Sequence, residues 1–274
     1  MPVMEPEEIR RRWVPEVGLV PTDGRSWDAR AAMFDIPVPG EDDPYVALLL
    51  REGRLDSQLT DVLDIGCGTG AYSLAISRRV RSVRGLDVSR KMVDLANCKA
   101  AAIGATATSY EVADWATQDA RRLGRYGLVM AHMTPAICSA ATFAKMLAVA
   151  GGMCFLTGYI SRENPTWDEI YRIIGRDGRT ESDKLLYAQD TLWQLGQEPH
   201  LFYERLHRAK DLTLAEATAT YLDGARSFTV LKPTQERAIT DLLTAQTTDG
   251  VLHDVSDPLI GTLYWNMADS GEGE

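Results

Sequence analysis

Cysteine is scarce in this chain. Cys67, Cys98, Cys138 and Cys154 are the only four in 274 residues, and none has a CxxC spacing. That excludes a disulfide framework and a thiolate zinc site, and it fits a reduced, cytoplasmic protein. Histidine is equally sparse. His132, His200, His207 and His253 show no ligand spacing, so no metal is expected. Long basic runs are missing as well: the clusters at 10–12, 78–79 and 121–122 are short, and the formal net charge is −10. Gripping a phosphate backbone needs clustered Lys and Arg, so nucleic acid is not an expected partner. No long uncharged apolar stretch occurs, which leaves no candidate transmembrane helix and no membrane partner. The start, MPVMEPEEIRRRWVPE, lacks the apolar centre of a signal peptide.

What is present describes an ordinary globular chain, 45% hydrophobic and 25% charged. Seven of the twelve prolines precede residue 45, so the first segment reads as irregular with short helices. One helix is expected over SWDARAAMF (Ser26–Phe34) with Ser26 as N-cap, and another over Asp42–Leu55 with Pro44 in its first turn. From residue 61 short apolar runs alternate with helix patterns: 61–65, 82–88, 107–115, 126–133 and 153–160 as strands. The helix patterns lie at about 70–79, 89–103, 116–123 and 138–149. Buried strands alternating with helices predict a doubly wound, mostly parallel α/β sheet covered on both faces. Beyond residue 160 come helix patterns at 164–175 and 181–196 and one long strand candidate at 200–212. Thr213 and Glu216 then have capping-box spacing, a helix follows Pro233, and a last strand is read at 259–267.

The densest signal is VLDIGCGTGAYSLAI (62–76), with Gly66, Gly68 and Gly70 between a strand and a helix. Gly66, Gly68 and Ala71 satisfy G-x-G-x-x-A, so a nicotinamide or flavin dinucleotide is one reading. Two features favour a different ligand. A third glycine follows Thr69. Asp64 lies in the strand, where burying a carboxylate is costly unless a cationic ligand group meets it. Asp87 ends the next strand, 23 residues after Asp64, where an acid can accept from ribose hydroxyls. That feature suits both cofactors.

In VLDIGCGTG, GLDVSRKMVDLA (85–96) and VADW (112–115) the chain resembles the class I S-adenosylmethionine-dependent methyltransferases. The resemblance is strong over residues 60–133 and architectural beyond about 160. It implies a Rossmann-like, seven-stranded sheet of order 3-2-1-4-5-7-6. The implied domains are an N-terminal helical cap or lid at 1–56, a cofactor-binding domain at 57–268 and a disordered acidic tail at 269–274. It also implies S-adenosylmethionine as cofactor. Gly66, Cys67, Gly68 and Gly70 would let backbone approach the methionyl part, and Asp64 would meet its ammonium group. Asp87 would hold the ribose, Val88 and Met92 would sandwich the adenine, and Asp114 would accept from its amino group. Trp115 and Ala131 complete the expected lining. The sequence leaves open whether Met92 and Trp115 are simply core.

The methyl acceptor is expected near the end of the fourth strand, in AHMTPAI (131–137). This stretch lacks both the Asn/Asp-Pro-Pro-aromatic pattern of base-amino methyltransferases and the acids of Mg²⁺-dependent ones. His132 is the candidate catalytic group, as a proton acceptor or as a ring that orients substrate. Tyr159 could direct a hydroxyl into the same cavity. Trp27, Arg30 and Phe34, at helical spacing, are candidate substrate-lining residues, with plain packing an equal alternative. The expected acceptor is a small molecule with an O, N, S or C nucleophile, and a homodimer stays open. Two other functions remain: a catalytically silent S-adenosylmethionine-binding sensor and a dinucleotide oxidoreductase.

Overall fold

The computed structural model describes residues 4–15, 23–176, 183–226 and 229–267. The tail at 269–274 lies outside them. In chain order the elements are α1 (Pro6–Arg12), α2 (Gly24–Arg30) running into a 3-10 turn (Ala31–Phe34), α3 (Pro44–Glu52), β1 (Asp61–Ile65) and α4 (Ala71–Ala75). Next come β2 (Ser82–Asp87), α5 (Arg90–Ala102), β3 (Thr108–Val112), α6 (Ala120–Leu123), β4 (Tyr126–His132), α7 (Ala140–Val149) and β5 (Ala150–Glu163). The last part holds α8 (Pro165–Ile174), α9 (Asp183–Gln194), β6 (His200–Arg205), β7 (Arg208–Thr213), α10 (Leu214–Arg226), α11 (Pro233–Gln246) and β8 (Val251–Asn266).

The strands form one sheet of order β3-β2-β1-β4-β5-β8-β6, with β7 also paired to β8. β1 to β5 run parallel, and β8 is antiparallel to β5, β6 and β7. The expected order holds, with the last strand inserted beside β5. The single strand read at 200–212 is in fact two, so eight strands are present among the described residues rather than seven. The break at Leu206 and His207 falls opposite Pro258, which has no N–H for the ladder; Leu206 N instead donates to Pro258 O at 3.0 Å. β8 is correspondingly longer than the stretch read at 259–267: its 16 residues serve β7 with the first half and β6 with the second.

Alternation along the strands divides the core into two layers. Leu63, Ile65, Val129, Ala131, Cys154 and Leu156 face α1, α7 and α9. Val62, Leu128, Met130, Met153 and Phe155 face α3, α4 and α5. A third core, Ile170, Tyr221, Ile239, Leu243 and Leu252 among others, is closed by α8, α10, α11, β7 and the outer half of β8. The segment 1–56 does not sit apart as a cap. Ile9 and Trp13 are buried in the first layer, with the Trp13 ring 5.2 Å from Phe143 and 5.8 Å from Tyr187, and Leu48 and Leu49 are buried in the second. Among the described residues of this segment, α2, the turn after it and much of 35–43 stay at the rim. The cap of α2 also differs from expectation. Asp23 accepts from Ser26 N at 3.0 Å, because an aspartate lies one turn earlier and Ser26 itself is already helical.

The third core shares only β8 with the rest of the sheet. Leu243→Ala should therefore cost about 2–5 kcal/mol in urea unfolding. Hydrogen exchange should show α10, α11 and β7 losing protection while β1 to β4 keep theirs. A uniform loss across all strands would mean that the two halves unfold as one.

Candidate functional site

The glycine stretch forms a turn fixed to the end of β2. Gly66, Gly68 and Gly70 all have left-handed backbone, φ +66, +54 and +71°. Gly66 N and Cys67 N both donate to Leu86 O, at 2.8 and 3.0 Å. Gly68 N donates to Asp87 Oδ2 at 2.9 Å, and the other oxygen of Asp87 accepts from Ser89 N at 2.8 Å. The glycines differ in purpose. A Cβ on Gly66 would stand 1.9 Å from Thr134 Oγ1, and one on Gly70 would stand 2.9 Å from the Tyr110 ring. Those two serve packing. At Gly68 a Cβ would meet only Met92 Sδ, at 3.6 Å, so this is the point where the backbone fronts open space.

Asp64 is buried behind the turn, on the same face as Ser73, Tyr110 and Tyr45. Among the described residues no basic side chain opposes it. Burial lifts its carboxyl to about 7; the nearby Asp87 pushes the same way, and the Ser73 hydroxyl opposes. Ser73 Oγ is itself 3.1 Å from Tyr110 Oη. Asp87 is also raised, chiefly by burial and partly by Asp28, against the lowering effect of the Ser89 and Gly68 amides. Cys67 is half-buried, and its thiol is pushed well up by burial and by these two acids, so it stays protonated.

The N-terminal segment crosses this site. Asp28 Oδ1 accepts from Ser89 Oγ at 2.6 Å and Lys91 N at 2.9 Å, which ties α2 to the start of α5. Gly24 is required there: a Cβ would lie 2.5 Å from Val88 O. Lys99 Nζ pairs with Asp35 and donates to Ile36 O and Thr69 Oγ1, and Thr69 Oγ1 donates to Phe34 O. Trp27, Arg30 and Phe34 come together on this strap, with the Arg30 guanidinium 4.0 Å above the Trp27 ring and Phe34 at its edge. Val88 is half-buried and Met92 buried, one turn apart beside Gly68.

Asp114 and Trp115 part company. Asp114 is exposed and caps its own 3-10 turn through Ala116 N. Trp115 is buried in the first core layer, its Nε1 donating to Thr142 O at 3.0 Å. The indole therefore packs the end of β3 against α7. Ala131 is likewise fully buried in that layer.

At the end of β4 the His132 ring lies 4.1 Å from the Tyr45 ring and 4.2 Å from the Tyr72 ring. Burial, with Lys184 nearby, lowers its imidazole to about 3. The sequence argument for a proton acceptor rested on an ordinary imidazole. In this environment the ring is neutral at physiological pH and a poor base. Lys184, on α9, donates to Thr134 O and Thr157 O, at 3.3 Å each, over the ends of β4 and β5. Tyr159 is half-buried under the Arg162 guanidinium, 4.2 Å away. Sequence reasoning passed over Tyr45, Tyr72, Lys184 and Glu204. Only Tyr72 had a local signal, as an aromatic inside the glycine motif. An open cavity of about 490 Å³, lined by Asp61, Arg84 and Tyr126 among others, lies at the N-terminal edge of the parallel strands. Ligands of open α/β sheets bind at the opposite edge. Among the described residues no helix is long and apolar enough to cross a membrane, and no cluster of His, Cys, Asp and Glu could hold a metal.

A family of methyltransferase domains matches residues 62–152, the span from β1 into β5. That match covers about a third of the chain. Over 75 residues it is 35% identical to the 2-heptyl-1-hydroxyquinolin-4(1H)-one methyltransferase of Mycobacteroides abscessus, a match spanning 27% of this chain and 32% of that protein. The chain thus aligns with about a third of this curated relative. A Bacillus halodurans structure, provisionally named a methyltransferase, superposes with a TM-score of 0.51 at 14% identity, covering 81% of this chain and 97% of the other. Magnesium protoporphyrin IX methyltransferase from Synechocystis, with S-adenosylhomocysteine bound, gives 0.46 at 17% identity, covering 94% and 92%.

Two outcomes follow for the glycine turn. Gly66→Ala combines a positive φ with a contact of 1.9 Å to Thr134, so the variant should melt well below the parent by calorimetry; an unchanged melting point would contradict this packing. Asp64 binds its proton up to about pH 7 when folded, against an ordinary 3.8. A raised carboxyl makes the folded state the better proton binder between those values, so the free protein loses stability as pH rises through that window. Urea titrations from about pH 5 to pH 8 should show this slope, and Asp64→Asn should flatten it.

Proposed function

We propose that this protein transfers a methyl group from S-adenosylmethionine to a small-molecule nucleophile. The observation that carries the reading is the buried Asp64 carboxylate, without a basic partner, beside a glycine turn whose Gly68 opens toward Met92. A carboxylate in that position is stabilised by a cationic ligand group. The ammonium of S-adenosylmethionine is such a group, and the cofactor has no phosphate that would call for a helix N-terminus. Asp87 has a lone pair left on each oxygen after accepting from Gly68 and Ser89, enough for ribose hydroxyls. Val88 and Met92 flank the space where the adenine would lie. The α2 strap would shield it from water.

The cofactor's sulfonium supplies an electrophilic methyl group. The protein's own work is to hold the acceptor in line with it and keep water out. His132, neutral between two tyrosines, suits orienting the acceptor better than removing its proton. The quinolone N-hydroxyl named in the Mycobacteroides relative is compatible with such a site, since a weakly basic oxygen needs little help to ionise.

S-adenosylmethionine and S-adenosylhomocysteine should each raise the melting temperature, by the equivalent of about 2.7 kcal/mol when present at a hundred times the dissociation constant. NADH, NADPH and FAD should leave it unchanged. Stabilisation by the dinucleotides alone would overturn the assignment. Binding without turnover across oxygen, nitrogen, sulfur and carbon acceptors would point to a silent sensor.

A further inference from the structure

Past the aromatic cluster, on the α3 face of the sheet, register brings a row of polar side chains to one level. His132 pairs with Thr157, Thr157 with Thr262, and Thr262 with Phe202. One step further out, Tyr159 pairs with Ile260 and Ile260 with Glu204. Paired residues on neighbouring strands share a face. Tyr45 and Tyr72 cover the inner row. His132, Tyr72, Tyr159, Phe202 and Glu204 are all half-buried, so the rows offer a solvent-reachable strip next to the end of β4, hereafter the basin. With strands about 4.8 Å apart, the basin extends roughly 14 Å from β4 to β6.

Two polar groups here have no partner. Tyr45 is 2% exposed, and its Oη meets no hydrogen-bond partner. Glu204 forms no hydrogen bond or ion pair among the described residues, and burial with Asp43 nearby raises its carboxyl, opposed by Arg208. Tyr72 responds to the same acids: burial, then Asp43 and Glu204, push its hydroxyl up to about 12. Asp43 is already committed, capping α3 through Tyr45 N and Val46 N. That leaves Glu204 as the acid at the far wall open to a ligand. The aromatic end of the basin is uncharged and its far end is negative.

We propose that this basin is the acceptor subsite and that it selects a flat, uncharged ring bearing a cationic amine at the end remote from the methyl-accepting atom. The ring lies against Tyr72 and His132, and the ammonium is held by Glu204. The inference rests on the methyltransferase reading for the identity of the acceptor but not for the existence of the basin.

Three small probes separate the possibilities: tyramine (phenol plus ammonium), para-ethylphenol (phenol alone) and para-hydroxyphenylpropanoate (phenol plus carboxylate). Their binding is followed by protein-observed NMR on the full chain, with and without S-adenosylhomocysteine. Tyramine should bind at least tenfold more tightly than the other two, and Glu204→Gln should remove that preference, consistent with loss of a hydrogen bond to a charged group. Tyr72→Phe should weaken tyramine and para-ethylphenol alike. Glu204 is at the surface end of β6, so melting curves of the variant check that it folds. Equal affinity for all three probes, tighter binding of the carboxylate through Arg208, or an unchanged preference in Glu204→Gln would each overturn the proposal. A failure of S-adenosylhomocysteine to bind would count against the methyltransferase reading alone, because the probe titrations without it still decide the basin.

Discussion

The attachment of the glycine turn to the end of β2 is the contact on which the site depends. One carbonyl, Leu86 O, takes both Gly66 N and Cys67 N, and one carboxylate, Asp87, takes Gly68 N. Backbone amides in a tight turn must be satisfied somewhere, and here the neighbouring strand does it. The turn therefore holds its shape without a ligand. Asp64 ends up buried behind it and Asp87 half-buried beside it, and the charge of Asp87 adds to the proton affinity that burial gives Asp64. Negative charge concentrated in this way is unfavourable in the free protein and is relieved by a cation.

The same α5 N-terminus receives acids from both sides. Asp87 accepts from Ser89 N, while Asp28 accepts from Ser89 Oγ and Lys91 N. An anionic group at a helix N-terminus is stabilised by the unsatisfied amides there. Those contacts couple the N-terminal strap to the glycine-turn side of the sheet, and Lys99 adds a second tie through Asp35, Ile36 and Thr69. α1 and α3 meanwhile are buried on opposite faces of the sheet. The described residues before β1 thus supply core on both faces and a strap over the glycine turn.

β8 links two otherwise separate bodies. Its second half lies between β5 and β6, next to the basin, and its first half carries β7 and the third core. Within that third core Tyr221 Oη and Asn164 Nδ2 both donate to Asp254 Oδ1, at 2.6 and 2.8 Å, so that oxygen on β8 is doubly engaged. Glu204, half-buried on the neighbouring strand, forms no hydrogen bond or ion pair among the described residues. The contrast between an engaged and an unpartnered half-buried carboxylate separates scaffold from candidate site.

Local chemistry determined much of this protein. Apolar runs of five to nine residues and the helices between them placed β1 to β5, because strand and helix periods are properties of short segments. Pro44, the Thr213 and Glu216 capping box and the glycine turn were legible for the same reason: each is settled within about four residues. Tertiary structure decided the rest. The stretch 200–212 reads as one strand until Pro258, some fifty residues later, removes the N–H that would continue its ladder. Trp115 could be lining or core until Thr142 O took its indole N–H. His132 carries an ordinary pKa in sequence and loses it only when Tyr45, Tyr72 and Lys184, from three other helices, close around it. Burial, charge proximity and cross-strand register are sums over distant residues, and no window of sequence contains them.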